Sequence, residues 1–419
     1  MRYSRNKKRR VVITGLGPVS PVGIGKEAYW DSLVNGRSGI AEITRFDASK
    51  FPTKIAGEVK GFKPEEFMSK KYLTTSGRFS QFAVAAARLA FEDSGIKYNG
   101  ADPHRIGACM GSSAIGIGIV EEPIPVFFEK GVRTIHPLTL VEYTAHISSS
   151  YVQIELAIKG PVTTISSGCS TAIDAVNWAY EQVRCGKADA IIAGASDAPL
   201  SPFSFGTFCA VRVLSKRNDD PEKASRPYDA DRDGMVLSEA GSAVVVEDLG
   251  HALERGARIY GEILGFASVS EAGQTVAVEM SGETVARVIG CALKSAHMNP
   301  TDVDYICAHG NSMIDYDISE TNGFKLALGD HAYRVPISSV KSNMGQSLAP
   351  ASGLQLIASC LTLSEGIISP TINYERPDPK CDLDYVPNTA RYNRVNTVLL
   401  NTHSVGGSHS ALIIGKVEE

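Results

Sequence analysis

The chain has 419 residues, 43% hydrophobic and 21% charged, enough for a large core and for two or three domains or one duplicated body. A formal net charge of −4 supplies no basic stripe for nucleic acid, and no apolar run reaches membrane-spanning length. The eight cysteines form no CxxC pair, which points to free thiols in a reducing, cytoplasmic setting rather than to disulfides or a metal site.

The opening MRYSRNKKRR is a solvated basic tail or an attractor for an acidic partner. VVITGLGPV follows as a first strand, too short and too broken by Gly and Pro for a secretory core. RFSQFAVAAARLAFEDSG and, later, SGETVARVIGCALKSAHMNP carry apolar residues at three- and four-residue spacings and predict helices. RIGACMG, ADAIIAGAS, GSAVVVEDL, VDYICAHG and NTVLLNTHS predict buried strands, so the chain reads as an α/β body with helix-covered sheets.

Between them lies SSGCSTAIDAVNWAYEQV. VTTIS before it alternates as a strand, and Ala172, Ile173, Val176, Ala179, Tyr180 and Val183 form one helical face after it. Cys169 thus sits on a strand-to-helix turn where Gly168 permits a sharp bend. The helix end favours thiolate over thiol. Ser166, Ser167, Ser170 and Thr171 are small enough to leave room for a substrate. On these residues alone Cys169 is either a buried small side chain or a nucleophile. Cys109, Cys209, Cys291, Cys307, Cys360 and Cys381 lack this setting and are read as structural.

LSKRNDDPEKASRPYDADRDG is the longest irregular stretch, placed to cover a site or a subunit contact. Asp229, Asp231, Asp233 and Gly234 within it open like a calcium loop, but Ala240 stands where the twelfth-position Glu belongs, so calcium is not expected. A fresh strand begins near residue 257, which divides the chain into halves 1–256 and 257–419. In the second half His309 ends one strand, Lys341 and Gln346 follow another, and Ser404-Val405-Gly406-Gly407 loops between two more. Ligand sites in α/β proteins gather at such strand ends. A lone His is more often packed than catalytic; with a candidate nucleophile, a Lys and a Gly-Gly loop it suits acyl transfer through a thioester.

The ordered motifs RVVITGLGPVSPVG, IGACMGSS, GPVTTISSGCSTAIDA, ADAIIAGASDA, RGARIYGEILGFASVSEA, AHGNSMIDYDISE and VKSNMGQSLAPASG run nearly end to end. With them the chain resembles the type II elongation class of β-ketoacyl-acyl carrier protein synthases, in the thiolase-like superfamily. The resemblance implies a five-layered αβαβα fold of two pseudo-repeated halves, the first carrying Cys169 and the second His309, Lys341 and Gln346. It implies an acyl carrier protein partner whose phosphopantetheine arm brings the substrate, no metal or other cofactor, and a homodimer, with a heterodimer also open. Cys169 would take the acyl chain and His309 falls on the first catalytic histidine. Lys341 and Glu320 would be orienting, electrostatic or plainly structural. The N–H groups of Cys169 and Val405 would form the oxyanion hole.

Three departures accompany the match. Gln346 stands where a second histidine is usual; it offers an amide N–H but cannot hold a proton. Asn311 and Met313 replace the threonines that usually contact the arm. The gating loop has Val405 for an aromatic and His403 for a Phe, so Val405 should widen the acyl entrance and His403 is a replacement base or a packed residue that borders substrate. The expected activity is condensation of a Cys-bound acyl group with malonyl-carrier protein to a 3-oxoacyl product. The rivals are a non-decarboxylating acyltransferase or cyclising relative, and a chain-length-setting partner of a heterodimeric synthase.

Overall fold

The computed structural model describes residues 9–97, 101–115, 117–137 and 139–418; the first eight residues of the expected basic tail lie outside them. Ten strands form the path of one mixed sheet: β1 (Val11–Ser20), β2 (Ile106–Gly111), β3 (Val162–Thr163), β4 (Ala190–Asp197) and β5 (Ala240–Asp248) from the first half, and β6 (Gly261–Ser270), β7 (Tyr305–Cys307), β8 (Ile337–Ser338), β9 (Thr397–Ser404) and β10 (Ser408–Gly415) from the second. Their spatial order is β8-β7-β9-β10-β6-β1-β5-β4-β2-β3. Each half therefore follows the same path, third strand to second, fourth, fifth and first. The strand senses repeat as well: β2 is parallel to β3 and β4, as β7 is to β8 and β9, and the remaining neighbours within each half are antiparallel. The halves join where β1 meets β6, through Val12 opposite Glu262 and Ile13 opposite Gly261.

Five helices build the layers, α1 (Arg78–Ser94), α2 (Thr171–Arg184), α4 (Glu283–Ala296), α5 (Ile314–Leu328) and α6 (Pro350–Glu365), while α3 (Pro202–Val211) borders the cavity described below. α1 covers the outer face of β1, β5 and β4, while α4 covers β6 and β10 and carries α5. α2 and α6 pack on each other and touch strands of both halves. The order is thus helix, first half of the sheet, helix, second half of the sheet, helix. Sheets covered on both faces need continuous apolar strands rather than alternating ones, and β1, β2, β4 and β9 are buried along their whole length. A helix in the middle layer must be apolar all round, and every residue of α6 from Pro350 to Leu363 is buried. Gly353 lets α6 approach so closely that an added Cβ would sit 2.2 Å from Ser242 Oγ and 3.0 Å from Ala172 Cβ.

The strand expected near residue 257 is β6. The VTTIS strand is shorter than its alternation suggests: only Val162 and Thr163 pair, and the chain then leaves the ladder to make the turn at Cys169. The carboxylates of the calcium-like loop are engaged by the protein. Asp229 accepts the N–H groups of Glu375 and Arg376, Asp231 pairs with Arg376, and Asp233 accepts the N–H of Lys216.

Candidate active site

Cys169 lies in the 3-10 turn Gly168–Ser170 that leads into α2. Gly168 has φ 70°, and a Cβ there would come within 2.9 Å of Ser404 Cβ, so the elbow needs glycine both for its backbone and for its contact with β9. The hydroxyls around it brace the turn instead of leaving space. Ser404 Oγ accepts the N–H of Ser170 at 3.0 Å and donates to the carbonyl of Ser167 at 2.8 Å. Ser170 Oγ pairs with Thr402 Oγ1, and Thr171 Oγ1 donates to the Gly168 carbonyl. Ser167 Oγ bonds Asp174, which also accepts from Ser410 Oγ.

The thiol is half-buried and faces a cavity of about 170 Å³. Burial pushes it up to about 11, against the pull of the Lys341 charge and of the main-chain N–H groups of Val405 and Cys169. The thiolate expected from the helix end is therefore not the resting form, because desolvation outweighs the nearby positive ends. Alkylation of Cys169 by iodoacetamide, followed by peptide mapping, is expected to keep accelerating above pH 9, with a midpoint near 11. A midpoint at or below 9, the ordinary value, would show that burial does not raise this thiol.

His309 stands just beyond β7 and is buried. Its Nδ1 accepts the main-chain N–H of His403 at 3.2 Å, and a backbone donor cannot reverse its sense. The neutral ring therefore carries its proton on Nε2. Burial, reinforced by Lys341, His403 and His409, holds this imidazole well below its ordinary value. Asn311 Nδ2 lies 3.2 Å from Nε2 while Asn311 Oδ1 accepts the N–H of Met313, so the two nitrogens are adjacent donors on the cavity wall.

Gln346 Nε2 donates to Cys169 Sγ at 3.5 Å, and Gln346 Oε1 is buried with no partner among the described residues. Its backbone is pinned to the first half: its N–H donates to the Val236 carbonyl and its own carbonyl accepts the N–H of Ser238. Lys341, 1% exposed, donates through Nζ to the His309 carbonyl at 2.7 Å and to Gln355 Oε1 at 2.8 Å. Burial lowers it to about 8. Glu320 touches no imidazole; it accepts the main-chain N–H groups of His309 and Gly310, Tyr228 OH and Asn401 Nδ2. Both residues hold the His309 backbone.

Met313, His403 and Val405 also line the cavity, with Phe208 and Val211 from α3. Val405 is 62% exposed, at the open side. Sequence reasoning missed Tyr228, Gln355 and Asn401, which fix the second half of the site, and the buried Glu271–His409 pair behind His403. Tyr228 lies in the irregular stretch, which packs under these loops: Arg226 N–H donates to Ser312 Oγ and Arg232 pairs with Asp317. The cysteines read as structural divide. Cys109, Cys307, Cys360 and Cys381 are buried, Cys209 is half-buried, and Cys291 is exposed like Cys185 because it sits on the solvent side of α4.

The β-ketoacyl synthase N-terminal domain family matches residues 8–252, and the β-ketoacyl synthase C-terminal domain family matches residues 260–375. The chain belongs to the β-ketoacyl synthase family. It is 41% identical over 411 residues to 3-oxoacyl-[acyl-carrier-protein] synthase 2 of Coxiella burnetii, covering 98% of this chain and 99% of the relative. It is also 41% identical over 424 residues to the tetracenomycin polyketide synthase ketoacyl synthase alpha subunit of Streptomyces glaucescens, covering 99% of each. Among solved structures it is similar to a type II polyketide synthase acyl-carrier protein in complex with its ketosynthase bound to the hexaketide. That likeness has a TM-score of 0.91 and 34% identity and covers 98% of this chain and 100% of that one. The thiolase-like architecture expected of this β-ketoacyl synthase is the layered, twice-repeated sheet described above. Among the described residues no helix is long and apolar enough to cross a membrane.

Proposed function

We propose that this β-ketoacyl synthase condenses a Cys169-bound acyl group with malonyl-acyl carrier protein. The observation that carries the reading is the meeting of Cys169 Sγ, Gln346 Nε2, the proton-bearing face of His309 and the N–H groups of Cys169 and Val405 at one cavity. In loading, the Cys169 thiol attacks the acyl thioester; a carbon–sulfur bond to Cys169 forms, that to the carrier arm breaks, and the thiol proton passes to the departing thiol. The N–H groups of Cys169 and Val405 would hold the oxyanion. In condensation the malonyl unit loses carbon dioxide, and the bonding pair becomes an enolate whose oxygen accepts a hydrogen bond from His309 Nε2–H without taking its proton, with Asn311 Nδ2 beside it. The enolate carbon attacks the Cys169 thioester, and the released Cys169 thiolate takes up one proton to restore the resting thiol.

The phosphopantetheine arm arrives on the carrier protein as substrate and no resident cofactor is invoked. At about 170 Å³ the cavity matches one that holds a benzene-sized guest, enough for a malonyl or short acyl unit; longer chains require the open side at Val405 to move. We place the enzyme in the cytoplasm as a homodimer. Pairing with a second synthase chain is the alternative favoured by its likeness to an alpha subunit, and the mass of the protein expressed alone separates the two.

Acyl-carrier protein and labelled malonyl-carrier protein should yield carbon dioxide and 3-oxoacyl-carrier protein in equal amounts. Acyl loading without carbon dioxide release would favour the non-decarboxylating acyltransferase. Gln346→His should raise carbon dioxide release, since general acid–base groups contribute ~10²–10⁴-fold and the amide supplies none of it. Unchanged release with intact loading would show that Gln346 is not the limiting group. Retention of Cys169 argues against a purely chain-length-setting partner.

A further inference from the structure

His403 is 1% exposed, yet it lines the cavity and neither Nδ1 nor Nε2 has a hydrogen-bond partner among the described residues. It lies on β9 directly opposite His409 on β10. Its ring stacks on His309 with centroids 5.1 Å apart and packs against His409 at 4.5 Å and Tyr316 at 5.9 Å. Glu271 Oε1 is 2.7 Å from His409 Nε2, so that carboxylate is engaged by His409. A neutral imidazole has one donor and one acceptor, and leaving both unmade in a buried site is costly.

A malonyl unit differs from an acyl unit by a carboxylate, which can only accept hydrogen bonds and must find donors where water is excluded. Much of the wall is apolar, with Phe208, Met235, Val276 and Leu348 among its side chains. Gln346 gives one of its two N–H groups to Cys169 and turns an acceptor, Oε1, without a partner. His309 and Asn311 are assigned to the thioester oxygen. We infer that His403 is the specificity-determining contact for the malonyl unit, its ring N–H donating to the malonyl carboxylate. This rests on the condensing reading for the identity of the substrate, and the binding test below needs no turnover.

Malonyl-pantetheine and butyryl-pantetheine, similar in size but differing in charge, are titrated into Cys169→Ala protein with and without His403→Phe. Phenylalanine fills the ring's space, keeps the main-chain N–H to His309 and removes both nitrogens. The parent should prefer malonyl, and His403→Phe should weaken malonyl binding about 10-fold while leaving butyryl within about twofold. His403→Gln, which keeps a side-chain donor, should retain part of the preference, and His403→Leu repeats the test if the phenylalanine ring does not pack. Unchanged malonyl binding, equal weakening of both thioesters, or a parent with no malonyl preference overturns the inference. If His403→Phe behaves as expected but wild-type protein releases no carbon dioxide, only the condensing reading falls.

Discussion

Cys169→Ala is expected to reduce acyl transfer and condensation by on the order of 10⁴-fold or more, the scale seen when an enzyme loses its attacking atom. Cys169 is the cysteine that combines access to the cavity with an amide donor from Gln346 and two main-chain N–H groups at sulfur. Cys185 and Cys291 are exposed and will react with small alkylating agents, so general thiol reactivity does not identify the nucleophile. Transfer from acyl-carrier protein does, because the acyl group must be delivered to the cavity. Incubation followed by intact-mass measurement and peptide mapping should place one acyl group on Cys169 and none on the variant. An acyl adduct that persists in Cys169→Ala at the wild-type rate removes the nucleophile assignment.

Glu320→Ala should be the most destabilising change near the site. One buried carboxylate serves four donors: Oε1 accepts from His309 N–H and Asn401 Nδ2, and Oε2 from Gly310 N–H and Tyr228 OH. It also favours the buried Lys341 cation. Truncation strands these four donors away from water and deprives the Lys341 cation of a favourable charge, a loss on the order of 3–5 kcal/mol, comparable with breaking a buried ion pair. Glu320→Gln should cost less, about 1–3 kcal/mol, because Oε1 is kept and the Tyr228 hydroxyl can turn to accept, leaving chiefly the Gly310 N–H unmatched. The urea midpoint should fall in that order, and so should condensation, since His309 is carried on the same backbone. Full stability of Glu320→Ala would show that water or other residues satisfy these groups.

Local chemistry carried much of the fold and of the site. Apolar runs with helical periodicities between them announce covered sheets, because a strand buried on both faces has no polar positions to spare. Gly168 before Cys169 announces the elbow, since a φ of 70° excludes most other residues. His309, Lys341 and Gln346 were recognisable as residues beyond strand ends. What those residues touch was not legible. The expected thiolate at Cys169 was judged from its helix end alone, and its burial depends on the loops of the second half and on α3. The hydroxyls of Ser170 and Thr171 looked like open space because their partners, Thr402 and Ser404 on β9 for the one and the Gly168 carbonyl for the other, depend on how the elbow folds against that strand. Glu320, Tyr228 and Asn401 come from three distant stretches, and only packing makes them one network. The strand and helix order, the glycine turn and the supply of reactive side chains are legible in the chain alone, because they follow from backbone preference and short-range periodicity. Tertiary structure alone decided which nitrogen of His309 bears the proton, that Gln346 faces sulfur and that His403 is buried without a partner. Each depends on hydrogen bonds and desolvation from segments tens to hundreds of residues away.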